Sequence, residues 1–140
     1  MGLQLLIKTM RKQSAKYRTL ANHLIRTRDD LQYIKDFKIK IAYLECNEEK
    51  KKNRRIILAD CTKVSPLYEW CCKYDFFITV YTPNVELLSD EQMRILMLHE
   101  LYHVGVDNDG EEPKFYCRPH DIEEFDAIIK EFGLHWEETG

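Results

Sequence analysis

The spacing of hydrophobic residues along the chain changes between a helical period and a strand period. Apolar positions three or four apart predict one helix over about Ser14–Asp30, a second that begins near Asp90 and a third that begins at Asp121. Strands are predicted, from alternation or from enrichment in β-branched and aromatic residues, over 37–44, 55–59 and 75–81. This order predicts an α+β domain with a short mixed or antiparallel sheet of about three strands.

The helix that begins near Asp90 is predicted to start with a capping box and to be apolar on most sides. Ser89 is the expected N-cap, and Gln92 reaches back to it. The run 93–98 and Leu101 leave little polar face, so we expect protein to surround most of this helix. Gly105 is expected to end it in a left-handed turn.

Three polar residues interrupt this apolar helix at a spacing that suits a metal ion. His99 and His103 are four residues apart, so both imidazoles lie on one helical face and can reach one ion. Catalytic zinc takes histidine ligands and keeps a position for water, and Glu100 is placed to accept a proton from that water. Ordinary core histidines are the alternative, but packing alone does not explain charged groups inside an apolar run.

A catalytic zinc site needs a third protein ligand, and His120 is the best candidate downstream. It stands directly ahead of the predicted C-terminal helix, where a stiff element would hold it, and imidazole is a favoured zinc ligand. Glu123 and Glu124 are the rivals, because some zinc proteases take this ligand from a glutamate on the following helix. Asp121 is interpreted mainly as the cap of that helix.

The segments that carry these residues resemble a known family. The sequence His-Glu-Leu-Tyr-His at 99–103, the acidic loop that follows and Arg-Pro-His-Asp-Ile-Glu-Glu-Phe at 118–125 are similar to the putative phage metallopeptidases. The resemblance extends over about residues 56–132, and no specific match is seen before about Ile39. That family is similar to the SprT-like and minimal gluzincin proteases, which implies a small zincin-like domain.

The resemblance implies a zinc peptidase core with His99, His103 and His120 as ligands of Zn²⁺ and Glu100 as the general base. The predicted function is a zinc-dependent metallopeptidase of phage or prophage type that hydrolyses a peptide or protein substrate. The alternative is a metal-binding, catalytically weak interaction module, or a nucleic-acid-associated module, with the same fold. Glu100 favours the enzyme, because a pure binding module needs no general base.

Two further predictions concern how a substrate would bind. The strand over Asp75–Tyr81 is the candidate to offer a free sheet edge, on which an extended peptide would add as an extra strand. Tyr81, Tyr102 and Tyr116 are each candidates to donate a hydrogen bond to the tetrahedral intermediate. Core packing is the plainer role for each of these aromatic side chains.

Length and composition predict one domain over residues 1–140, with a helical region over about 1–35 and a catalytic core over about 37–135. The chain has 140 residues, of which 44% are hydrophobic, enough for one core. No membrane span or secretion signal is predicted, which indicates a soluble, cytoplasmic protein with no membrane partner. The resemblance implies that the protein lies in the cytosol of a bacterial host or is phage-encoded. The five cysteines are interpreted as buried reduced thiols, with a metal at Cys71, Cys72 and Cys117 as a minor alternative.

Charge is unevenly distributed, although the formal net charge is only −3. Residues 1–55 hold 15 of the 21 Lys and Arg residues and 6 of the 24 acidic residues. Basic side chains cluster around the first helix and around the polar connection 47–53, so they can form one positive surface that binds nucleic acid. A solvated surface that balances the acidic half is the plainer interpretation.

Overall fold

A four-stranded mixed sheet lies at the centre of the computed structural model, which describes residues 9–119. In chain order the strands are β1 (Arg11–Gln13), β2 (Ile41–Cys46), β3 (Lys51–Lys52), β4 (Arg55–Ile56), β5 (Ala59–Lys63), β6 (Phe76–Tyr81), β7 (Val104–Asp107) and β8 (Lys114–Cys117). The α-helices of this part of the chain are α1 (Ala15–Thr27), α2 (Gln32–Asp36), α3 (Thr82–Val85) and α4 (Asp90–Tyr102). Short 3-10 helices span Asp29–Leu31 and Pro66–Tyr68. The predicted α+β class is confirmed.

The order of strands in the central sheet is β1-β2-β6-β5. The two inner strands β2 and β6 are parallel, with Ile41 opposite Phe76, and both outer strands run antiparallel to their neighbours. The prediction of about three strands is one short, because β1 is a short, polar, exposed segment without a hydrophobic pattern. Two antiparallel pairs, β3 with β4 and β7 with β8, stand apart from this sheet.

Two predicted strands are displaced from their observed positions. The strand expected over 37–44 begins only at Ile41, because the chain first turns at Lys38, which has a φ of 54°. The strand expected over 55–59 is divided between β4 and β5. Strand β5 has the sequence Ala-Asp-Cys-Thr-Lys, whose polar residues hide it from a search for hydrophobic alternation.

The core forms where α1 and α4 pack on one face of the central sheet. Strand β6 contributes Phe76, Ile78 and Val80, which point to this face because alternate residues of a strand share a side. Helix α1 contributes its apolar stripe, which agrees with the predicted N-terminal helix: Tyr17, Ala21, Leu24 and Ile25. None of the helices within residues 9–119 is long and apolar enough to cross a membrane.

Strand β6 is not an edge strand, so the prediction that Asp75–Tyr81 offers a free edge is wrong. It pairs with β2 on one side and with β5 on the other. Its six residues are mostly buried, as expected for a strand inside a sheet. Among the described strands, β5 is the outermost member on the side of the sheet that contacts α4.

Candidate metal centre

The helix that carries the candidate ligands is fixed at its first turn and buried along most of its length. Ser89 Oγ accepts a hydrogen bond from the Gln92 backbone N–H at 3.1 Å, and Gln92 Oε1 accepts one from the Ser89 N–H at 2.8 Å. This capping box confirms the predicted start of the helix. Nine of the 13 residues of α4 are buried, which agrees with the expectation that protein surrounds it.

The predicted end of this helix is wrong. Helix α4 ends at Tyr102 with His103 as its C-cap, and Gly105 lies in strand β7. The reason for glycine at this position is the close approach of Tyr116 from β8. A Cβ added to Gly105 would lie 2.7 Å from Cζ of the Tyr116 ring, closer than van der Waals contact allows.

His99, Glu100 and His103 lie together at the C-terminal end of α4. The His99 and His103 ring centroids are 5.2 Å apart, and the rings meet edge to face with an interplanar angle of 68°. Both histidines are half-buried, whereas Glu100 is only 3% exposed. The geometry thus brings two imidazoles to one point beside a buried carboxylate.

The tautomer of His103 follows from its contact with Arg118. Nδ1 of His103 lies 2.6 Å from the backbone carbonyl oxygen of Arg118. A carbonyl oxygen can only accept, so Nδ1 carries a proton, and this tautomer is the one that coordinates a metal ion through Nε2. The Arg118 N–H donates in return to the His103 carbonyl at 2.6 Å, so the strand pair β7–β8 fixes this ring through reciprocal bonds.

Strand β5 passes close to the buried carboxylate. The pKa of the Cys61 thiol is raised first by a hydrogen bond with Cys117, then by burial, and also by the charges of Cys117 and Glu100. Glu100 therefore lies near the middle of β5. The candidate general base is therefore carried by a helix that packs against the outermost described strand of the sheet.

A third ligand is not found in the described part of the chain. Within residues 9–119, no group of three or more His, Cys, Asp or Glu side chains is placed to hold a metal ion. The predicted third ligand His120 and its rivals Glu123 and Glu124 lie outside the described residues, as does the predicted C-terminal helix that begins at Asp121. His120 as a ligand therefore stays a prediction.

The three candidate tyrosines have other contacts. The hydroxyl of Tyr102 donates to Asp30 at 2.6 Å, and that of Tyr81 donates to Asp60 at 2.6 Å. The ring of Tyr116 covers Gly105 and is 42% exposed. Both Tyr81 and Tyr102 are buried, so packing and carboxylate binding account for them in this structure.

Sequence reasoning missed the contact between Cys61 and Cys117. These cysteines are 56 residues apart, and the Cys117 thiol donates to the Cys61 carbonyl at 3.2 Å. The expectation of buried cysteines holds for Cys46 alone: Cys61 and Cys72 are half-buried, and Cys71 and Cys117 are exposed. Only the register of the β7–β8 pair, which sets Cys117 opposite Val104, could have placed it beside the candidate site.

Comparison with known proteins assigns the family. A family model described as "Putative phage metallopeptidase" matches residues 9–140. The chain belongs to this family. No curated protein and no solved structure matches the chain. Membership supports a metallopeptidase at this general level, and the match also covers the N-terminal residues for which the sequence alone showed no resemblance.

The residues of the candidate site fit a metal ion by the chemistry of their donors. The bond at Nδ1 of His103 orients this ring for coordination through Nε2, and the adjacent His99 ring supplies a second imidazole. Two imidazoles beside one carboxylate suit a borderline metal such as Zn²⁺ better than Mg²⁺ or Ca²⁺, which prefer oxygen ligands.

Proposed function

We propose that this member of the family is a zinc-dependent peptidase that hydrolyses peptide bonds in a protein or peptide substrate. The observation that carries the proposal is the convergence of the His99 and His103 rings beside the buried Glu100, close to strand β5. A zincin-like fold is supported by a mixed sheet, with an antiparallel outer strand, followed by the helix that bears the motif. Five free cysteines support a cytoplasmic location, where thiols stay reduced.

In the proposed reaction, Glu100 accepts a proton from the attacking water and passes it to the leaving amine. Zinc, when bound, would supply the Lewis acid that lowers the pKa of water to about 7. His99 and His103 would hold the ion, and the Arg118 carbonyl would keep the His103 ring oriented. Burial of Glu100 keeps its carboxylate away from competing solvent, so the proton transfer occurs in a fixed geometry.

We propose His120 as the third ligand and test it against its rivals. H120A should lose most of the bound zinc, whereas E123A and E124A should retain it, because imidazole is the better third donor here. Full zinc occupancy in H120A would assign the third position to a glutamate. E100Q should keep zinc and fold but abolish cleavage, because glutamine cannot accept the proton; cleavage at the parental rate would refute the mechanism.

We further propose that the substrate adds to strand β5. The Leu58 carbonyl and the Val64 N–H both form backbone hydrogen bonds towards β6. The backbone groups of even-numbered residues in β5 therefore point to β6, and those of Cys61 and Lys63 point outward. Outward N–H and C=O groups at this edge can bind the backbone of an extended peptide. This edge belongs to a strand that contacts α4, the helix that carries Glu100.

The edge proposal is tested with proline at two adjacent positions. K63P removes an outward N–H and should raise KM with little change in stability, because proline is tolerated at sheet edges. T62P, the matched control, removes an N–H that faces β6 and should destabilise the fold instead. K63A controls for the loss of the lysine side chain. An unchanged KM in folded K63P would exclude the β5 edge as the binding site.

A second candidate partner, nucleic acid, is favoured by one observation. Arg11 of β1 has a side-chain hydrogen bond with Tyr81, and Lys50 Nζ lies 5.5 Å from the centroid of the same ring. The two basic segments therefore meet at Tyr81, where their charges can act on one polyanion. The acidic residues Glu45 and Glu48 lie nearby and weaken this field.

A further inference from the structure

Cys61 and Cys117 bring two thiols together at the outer edge of β5. Cys117 lies on β8, and its thiol donates a hydrogen bond to the backbone carbonyl of Cys61 at 3.2 Å. The Cys61 side chain also has a hydrogen bond with the Cys117 side chain. The two sulfur atoms are therefore neighbours, as disulfide formation requires.

The Cys117 side chain occupies the backbone groups that a bound peptide would use. Besides the Cys61 carbonyl, it has a hydrogen bond with the backbone of Lys63. Both residues face outward from the sheet, as the ladder to β6 shows. Thiol hydrogen bonds are weak, so a peptide backbone can displace the reduced Cys117 from this edge.

The two thiols differ in the way that reversible oxidation needs. Cys117 is exposed, and hydrogen bonds with Cys61 and with the Lys63 backbone lower the pKa of its thiol to about 7, against burial and the charge of Asp60. Cys61 is half-buried, and its pKa is raised by its hydrogen bond with Cys117 and by burial. Cys117 is thus the thiol that ionises first and meets an oxidant, with Cys61 beside it.

We propose that Cys61 and Cys117 are a site of reversible oxidation by hydroperoxides, whose disulfide would fasten β8 across the edge of β5 and so shut the peptidase against its substrate. The thiol contacts and the position at the edge carry this inference. The loss of peptidase activity rests on the proposed function, whereas the disulfide itself does not.

The chemistry balances with a hydroperoxide as the two-electron oxidant. The Cys117 thiolate attacks one oxygen of hydrogen peroxide, the O–O bond breaks, and the products are a Cys117 sulfenic acid and hydroxide. The Cys61 sulfur then attacks the sulfenic sulfur, an S–S bond forms, and the S–OH oxygen leaves as water with the Cys61 thiol proton. Two thiols lose two electrons in total, and the peroxide gains them.

The direct test maps the cross-link in the full chain. The protein is treated with hydrogen peroxide, once with a chelator and once with one equivalent of zinc; free thiols are blocked, and an unreduced tryptic digest is read by mass spectrometry. We expect the peptides that contain Cys61 and Cys117 to be linked, with the loss of two hydrogens, and the link to be reversed by dithiothreitol. C71S, which removes an exposed cysteine elsewhere, should form the same link.

Three outcomes of this mapping would overturn the proposal. A disulfide from Cys117 to Cys71 or Cys72 would show that other thiols lie closer in solution. Accumulation of Cys117 sulfinic acid without a link would show that Cys61 cannot reach it. Unmodified cysteines in the wild-type chain would show that Cys117 is not a reactive thiol. Each result comes from the wild-type chain, so none depends on a variant that fails to fold.

Activity separates the consequence from the cross-link. With a cleavable substrate, oxidation should lower wild-type activity at least tenfold, dithiothreitol should restore it, and C117S should be insensitive to peroxide. An oxidised, cross-linked enzyme with full activity would overturn the closure of the edge. If the link forms in a chain that has no peptidase activity before oxidation, the proposed function fails and the oxidation site stands.

Discussion

Replacement of Gly105 by alanine tests the contact that sets the β7–β8 pair against the candidate metal centre. The added Cβ would lie 2.7 to 2.9 Å from three atoms of the Tyr116 ring, so the ring must move. The backbone of Gly105 lies outside the left-handed region, and alanine is therefore allowed there in all respects except this contact. The substitution therefore measures how much the clash between the added Cβ and the Tyr116 ring costs in stability.

The size of the effect follows from two opposed terms. Overpacking costs about 1 to 3 kcal/mol, and the lower half of that range applies because Tyr116 is 42% exposed and its ring can swing outward. Exchange of glycine for alanine at a compatible position returns about 0.5 kcal/mol through the unfolded state. We therefore expect G105A to lose about 1 kcal/mol of the free energy of unfolding.

The same substitution should change sign when the ring is absent. In a Y116A background the clash disappears, so G105A should gain about 0.5 kcal/mol, which gives a coupling energy of about 1.5 kcal/mol between the two positions. Urea denaturation of the four proteins measures this cycle. Equal destabilisation by G105A in both backgrounds would refute the assignment of the glycine to Tyr116.

The contact also links stability to metal binding. Tyr116 is two residues before Arg118, whose carbonyl orients the His103 ring. A displaced ring should disturb that bond, so G105A should weaken zinc binding by about tenfold, the lower end of what loss of an orienting group costs. In the G105A/Y116A double variant the zinc affinity should be restored. Zinc binding by G105A that equals that of wild type would show that the Tyr116 contact does not affect the metal site.

Two other predictions concern acid stability and charge. Burial raises the pKa of Asp30, but hydrogen bonds from Tyr102 and Arg28 outweigh it, so the pKa is lowered overall. The ionised side chain should therefore stabilise the fold fully above about pH 4, and this stabilisation should decline as the pH falls through the lowered pKa. The advantage of wild type over D30N, at most about 1 kcal/mol because the side chain is 44% exposed, should shrink below pH 4 in denaturation series, and an advantage that is constant down to pH 2 would contradict this. DNA binding, measured at two salt concentrations, should be salt-dependent and weakened by K51E/K52E; no binding at low salt would leave these lysines as solvated surface.

Local signals in the sequence predicted the elements around the site well. The capping box at Ser89 located the start of α4 because both of its hydrogen bonds are formed by residues three apart. The spacing of His99 and His103 brought their rings together because a helix fixes the relation between such positions. Burial of Glu100 followed from the apolar residues on both sides of it.

The sheet edge and the thiol pair were beyond local reasoning. Strand β5 is polar, so a search for hydrophobic alternation does not detect it as a member of the sheet. Strand β6 is strongly hydrophobic because it pairs on both sides, and this property identifies an inner strand rather than an edge. Cys61 and Cys117 meet only because β8 packs against β5, a tertiary relation over 56 residues. Glycine is likewise required at position 105 because the Tyr116 ring of the paired strand lies against it, and not because a helix ends there.

The central claim is that His99 and His103 hold a zinc ion, and its most direct test is the zinc content of purified variants. Wild type should contain one zinc per chain, and H103A should lose it because its Nε2 donor is gone. H23A removes an exposed histidine of α1 that contacts Arg26 and should keep the metal. Zinc in wild type and H23A but not in H99A or H103A is the predicted result, and full zinc in H103A, or none in wild type, would contradict it.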